Sequence, residues 1–194
     1  MLIQKQQILG VNIDSMSERL LKNENIIHRA LESSWDDVRE SAIFALGKQR
    51  KNKNLYTLIL TSVYEHCKDL VSATDWAIGY TSPSWHKTEE AKKAIPELIK
   101  ALGDEIEDTR IAALGFLEKI DTRWRERHEV REAFSYFIKR LESKDELKRL
   151  GAAWAISKFG RYAKYYIPTL KEKIRKEKNE QVIKYLAKAL YEML

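Results

Sequence analysis

Apolar and polar residues along this 194-residue chain follow the 3.6-residue period of amphipathic helices, and the pattern repeats itself. Five segments align: residues 38–47, 70–79, 109–118, 148–157 and 182–191, the first reading Val-Arg-Glu-Ser-Ala-Ile-Phe-Ala-Leu-Gly. Their eighth positions are Ala45, Ala77, Phe116, Ala155 and Ala189, spaced by 32, 39, 39 and 34 residues. Their ninth positions are Leu46, Ile78, Leu117, Ile156 and Leu190, which fill the seam that the small neighbours open. Before each segment runs a second apolar stretch, ending on Leu31, Val63, Leu102, Leu141 or Ile174. The spacing predicts five helical hairpins. Acidic and serine-bearing turns at 33–37, 103–108, 142–146 and 175–180 can cap the second helix and oppose its dipole. Pro96 and Pro168 suit the first turn of the first helix, where a missing N–H costs little.

Composition narrows the class. Only 7 Gly and 3 Pro leave too few turn formers for a sandwich or barrel, and 5 Trp with 9 Tyr argue against a disordered polyelectrolyte. The one cysteine, Cys67, allows neither a disulfide framework nor a multi-cysteine zinc site, and reads as a buried, inert thiol. No stretch approaches the ~18 apolar residues of a membrane span. Gln and Lys interrupt the apolar residues of 1–10, so no secretory signal is expected and the expected location is cytoplasmic.

The residues Asp37-Val38-Arg39 with Ala42, Ala45, Leu46 and Gly47, then Asp108-Thr109-Arg110 with Ala113, and Ile95-Pro96-Glu97-Leu98 resemble the HEAT repeat in its short, PBS-lyase-like form. The resemblance implies an all-α, right-handed α-solenoid of about five helix pairs over residues 25–194 as a single domain. Residues 1–24 do not repeat and read as an N-terminal cap, with Ser15 and Glu18 as its capping box. It further implies that the arginines recurring at one position, Arg39, Arg110 and Arg149, ladder with turn aspartates of neighbouring repeats. It also implies that the second helices line a concave surface.

Positions seven and eleven of the second helix share one face. They supply Phe44, Trp76, Gly115, Trp154 and Lys188, then Lys48, Tyr80, Lys119, Lys158 and Glu192. Phe44, Trp76, Tyr80 and Trp154, with Lys48, Lys119 and Lys158, are therefore the candidate groove; packing of these rings against neighbouring repeats is the alternative. A net charge of +6 concentrates where second helices end, giving a candidate basic rim of Arg50, Lys51, Arg123, Arg125 and Arg127. Matching of helix dipoles is the alternative account of that charge. Asp75 occupies a position that is apolar in the other repeats, so it either pairs with Arg39 or Arg110 or serves as a recognition carboxylate beside Trp76. An insert at 81–87 carries Trp85, as a lid, a partner contact or a tether on the solenoid edge.

The four histidines fall in different repeats and only His128-Glu129 forms a His-Glu pair, so the di-iron site of HEAT-repeat hydroxylases is not expected. The Trp-x-x-x-Asp arrangement of HEAT-like DNA glycosylases fails as well: Arg39 follows Trp35, and Val71 precedes Asp75. No catalytic residue, metal or cofactor is expected. The function expected is a non-enzymatic adaptor that grips an extended segment of a protein partner, with a nucleic-acid clamp on the same groove and rim as the alternative.

Overall fold

The computed structural model describes residues 24–194, so the expected cap, apart from Glu24, and its capping box lie outside the described residues. The helices are α1 (Glu24–Leu31), α2 (Asp36–Lys48), α3 (Leu55–Tyr64), α4 (Lys68–Thr81), a short α5 (Glu89–Lys92), α6 (Ile95–Ala101), α7 (Glu107–Ile120), α8 (His128–Arg140), α9 (Glu146–Phe159), α10 (Ile167–Lys176) and α11 (Glu180–Met193). No strand occurs among the described residues. The five expected second helices are α2, α4, α7, α9 and α11, and Pro96 and Pro168 open α6 and α10 as anticipated. The chain is an all-α, helical-repeat protein of the solenoid type. Its residues gather into two compact units, one ending at Lys93 and the other running from Ala94 to Leu194.

Within the first unit α2 packs along α4, and within the second α9 packs along α11. Small residues let the helices close. A Cβ on Gly47 of α2 would stand 2.9 Å from that of Ala77 in α4. The fifth and eighth positions are buried in every repeat; all but Thr74, whose hydroxyl donates to the Leu70 carbonyl at 2.7 Å, are apolar and stabilise the fold through the surface removed from water.

One device builds all five hairpin turns. A side-chain oxygen two residues before the helix cap accepts the N–H of the cap residue. The pairs are Ser33 with Trp35 at 3.2 Å, Glu65 with Cys67 at 2.9 Å, Asp104 with Ile106 at 2.9 Å, Ser143 with Asp145 at 3.1 Å, and Glu177 with Asn179 at 2.9 Å. This satisfies a backbone donor that the turn would otherwise orphan. Direct side-chain capping of these second helices is confined to Asp145 and Asn179.

The recurring arginine locks onto the same turn. Arg39, Arg110 and Arg149 each donate from a terminal nitrogen to the carbonyl of Ser33, Asp104 or Ser143, at 2.8, 2.8 and 3.0 Å. Two then reach the next repeat, but to glutamates and not to the aspartates that the family resemblance implied. Arg39 meets Glu65 at 3.2 Å, and Arg149 grips both oxygens of Glu177 at 2.9 and 3.3 Å. Asp36, which Arg39 also binds at 2.7 Å, belongs to its own turn. Arg110 instead lies over the Trp154 ring at 5.6 Å.

The two 39-residue spacings have a common cause. Trp85 and Trp124 each begin a 3-10 turn, Trp85–Lys87 and Trp124–Glu126, with matching hydrogen bonds from Trp85 N–H to Ser82 and from Trp124 N–H to Asp121. Trp85 is half-buried against its own unit, as the tether alternative expects. Trp124 is fully buried, beneath Phe159.

Candidate functional site

The first unit presents a continuous aromatic stack. Phe44 of α2 meets Trp76 of α4 edge-on, with centroids 5.0 Å apart. One helical turn later Tyr80 stacks nearly parallel on Trp76, at 4.7 Å and 18°. Arg50, just past α2, covers the Tyr80 ring at 4.3 Å. The close approach of α2 and α4 at Gly47 brings these residues together, since the ring faces of both helices then meet. Phe44 is half-buried, but Trp76 is 42% and Tyr80 40% exposed. Lys48 is half-buried beside them and Lys51 is exposed. Large rings left this open form a surface that binding would cover.

The second unit does not repeat this arrangement. Trp154 occupies the same helical position as Trp76 yet is only 6% exposed, so it is packed and offers no platform. Its cover is specific. A Cβ on Gly151 would lie 2.4 Å from the carbonyl oxygen of Asp104, so glycine is required for that turn to close on α9. The closure brings Arg110 over the indole, and Lys158 lies over the same ring at 4.6 Å. Burial, reinforced by the charge of Lys188, pulls the Lys158 amine below the ordinary lysine range. Lys119 is exposed, as is Gly115 at the seventh position of α7. Of the candidate groove residues in this unit, the ring of Trp154 is therefore packed, Lys158 is half-buried on it and Lys119 is exposed.

Asp75 does not form the ion pair that was one of its two expected roles. It is exposed, so no desolvation penalty demands a cation, and its partner is the Ser62 hydroxyl at 3.1 Å. No ion pair joins it to Arg39 or Arg110; Arg39 is held by Asp36 and Glu65, and Arg110 by the carbonyls of Asp104 and Glu105.

Much of the expected basic rim is structural. Arg125 donates to the Lys158 carbonyl at 2.8 Å, pairs with Glu118 at 2.9 Å and covers Trp124 at 4.5 Å. Arg127 bridges Asp121 and Glu129 at 3.3 and 3.0 Å. Burial works to raise the Glu129 pKa, but the Arg127 hydrogen bond and its charge override it and hold the carboxyl below the usual range. Arg123 is exposed. Arg50 belongs to the aromatic stack, a role its position among neighbouring lysines gave no sign of. Among the described residues no cluster of His, Cys, Asp and Glu is placed to hold a metal, and no helix is long and apolar enough to cross a membrane.

No protein-family model matches the sequence, and no curated protein sequence matches it. Structural comparison finds a designed armadillo repeat protein in complex with the peptide (KR)4, 19% identical, with a TM-score of 0.43 over 97% of this chain and 94% of that one. A computationally designed armadillo repeat protein for modular peptide recognition is similar at 19% identity and a TM-score of 0.44, with the same coverage. What the fold and the stack define together is a helical-repeat protein with an exposed aromatic surface on its first unit.

Proposed function

We propose that this protein is a non-enzymatic adaptor, of the HEAT type that its repeat pattern resembles, which binds an extended segment of another protein. The observation that carries this reading is the exposed stack of Phe44, Trp76 and Tyr80. Rings of this size, locked against one another, bind apolar side chains with little further loss of conformational freedom. Trp76 is the anchor, with Phe44 buttressing its edge and Tyr80 extending the platform. The exposed Lys119 and the Lys158 surface of the second unit attract acidic partners electrostatically.

The test is fluorescence anisotropy with labelled eight-residue peptides that alternate leucine with a polar residue. Trp76→Ala should weaken peptide binding at least tenfold while circular dichroism shows unchanged helix content. Undiminished affinity would refute the reading. The Trp76–Tyr80 stack favours one second reading, a platform for unpaired bases. A single-stranded oligonucleotide binding more tightly than any peptide, with affinity falling steeply with salt, would establish that alternative.

A further inference from the structure

Arg50 stands where a helix end calls for glycine. It follows the C-cap Gln49, its φ is 49°, and its N–H closes the helix on the Gly47 carbonyl at 3.0 Å. Glycine adopts this left-handed conformation freely, whereas an L side chain there is strained. It is the positive-φ residue other than glycine among those described. Such strain persists where the side chain has something to do.

Among the described residues the arginine side chain lies over the face of Tyr80, at 4.3 Å. Arg39, Arg125, Arg127 and Arg149 each hold a carboxylate. Arg50 has none among the described residues, and it is exposed. A guanidinium laid on a ring fixes its plane and leaves the N–H donors of its edge pointing past the ring, in the fork that matches a carboxylate.

We propose that Arg50 is a carboxylate-recognising residue: it binds the Asp or Glu side chain of the segment whose apolar residue sits on Trp76. This rests on the adaptor reading and adds a sequence preference to it. Indole, phenol and guanidinium follow one another at 4.7 and 4.3 Å. An extended chain advances about 3.3 Å per residue and returns to the same face every second one. The preferred motif is therefore an apolar residue with Asp or Glu two positions away.

The experiment uses the full chain and three labelled probes, of which the first two are (Leu-Glu)4 and its uncharged counterpart (Leu-Gln)4. Neither alternates the apolar and acidic groups on one face, so a third probe, Glu-Gln-Leu-Gln-Glu-Gln-Leu-Gln, sets the predicted spacing. The parent protein should bind the third probe at least tenfold more tightly than (Leu-Gln)4, and more tightly than (Leu-Glu)4. Arg50→Gly should erase that preference while the melting temperature stays level or rises, because glycine relieves the backbone. Arg50→Lys, which keeps the charge without the fork, should lose most of the preference. A parent that binds all three probes alike would sink the Arg50 assignment and leave the adaptor standing. Retention of the preference by Arg50→Gly would sink it equally, since bulk positive charge would then explain the selectivity. Binding of none of the probes would overturn both readings. A dT8 oligonucleotide bound more tightly than any peptide, and released by Arg50→Gly, would assign the guanidinium to phosphate and overturn the carboxylate proposal.

Discussion

Arg149 and Glu177 form a forked pair, Nε to Oε2 at 2.9 Å and a terminal nitrogen to Oε1 at 3.3 Å, that joins one helical hairpin to the next. The same carboxylate receives the backbone N–H groups of Lys178 and Asn179, both at 2.9 Å. One side chain thus builds its own turn and holds the preceding repeat. Arg39 and Glu65 do the same in the first unit, with Glu65 accepting from His66 and Cys67.

That double duty makes the pair sensitive to acid. Burial works to raise the Glu177 pKa, but the Arg149 hydrogen bond and the two backbone donors prevail, so the carboxyl titrates below its usual range. A depressed native pKa stabilises the fold above the unfolded value, about 4.3 for glutamate, and the gain is lost as pH falls through the native value. Glu177→Gln should cost about 1.5–3 kcal/mol at neutral pH, as expected for hydrogen bonds to a charged group. Urea unfolding of parent and variant should show the gap narrowing below about pH 4.3. A gap unchanged into strong acid would deny the carboxylate this role.

Two helical glycines should respond oppositely to alanine. A Cβ at Gly115 would have nothing within 4 Å, so Gly115→Ala should gain about 0.5–1 kcal/mol from helix propensity alone. At Gly151 the added carbon would meet the carbonyl oxygens of Asp104 and Gly103 at 2.4 and 2.5 Å. Backbone atoms cannot rotate away, so Gly151→Ala should cost about 1–3 kcal/mol despite the same propensity gain. Thermal melts of the two variants displaced in the same direction would contradict this packing.

How far the sequence reveals this molecule depends on what each feature requires of its residues. The second helices were legible because the buried fifth and eighth positions must be small or apolar in every repeat. The turn device was not, because Ser33, Glu65, Asp104, Ser143 and Glu177 share only an oxygen within reach of the cap N–H, and no residue type marks it. Trp76 and Trp154 are indistinguishable by helical position. Their different exposure, 42% against 6%, goes with what lies over the second ring, Arg110 and Lys158, and the helical position does not reveal that cover. Arg50 looked like one cation among several, since nothing in the local sequence announces a left-handed residue stacked on a tyrosine thirty positions away.

Lys158 offers a second pH test, of opposite sense. Burial and the nearby Lys188 charge depress its pKa, so keeping the amine charged costs the folded state stability. The unfolded chain, titrating near about 10.4, binds the proton more readily. Stability should therefore rise as pH climbs through the native value and stop rising on this account above about 10.4. Relative to the parent, Lys158→Met should lose that alkaline gain. Parallel stability curves for the two proteins between about pH 8 and 10.4 would show that the amine is no more costly folded than unfolded.

The paired tryptophan turns predict which rim arginines matter for the fold. Trp124 is fully buried, so Trp124→Ala should cost about 3–5 kcal/mol, whereas half-buried Trp85 should cost less when truncated. Arg125 covers Trp124 and fastens it through the Lys158 carbonyl and Glu118, and Arg127 ties Asp121 to Glu129. Reversing either to glutamate would place like charges together and strip a carbonyl or carboxylate of its donor. A combined Arg125→Glu, Arg127→Glu variant should therefore melt well below the parent, while Arg123→Glu, at an exposed position, should melt within a degree or two of it. If the double reversal instead left the melting temperature unchanged, those arginines would be free to serve a polyanion, and the rim would regain the role that their intramolecular bonds now argue against.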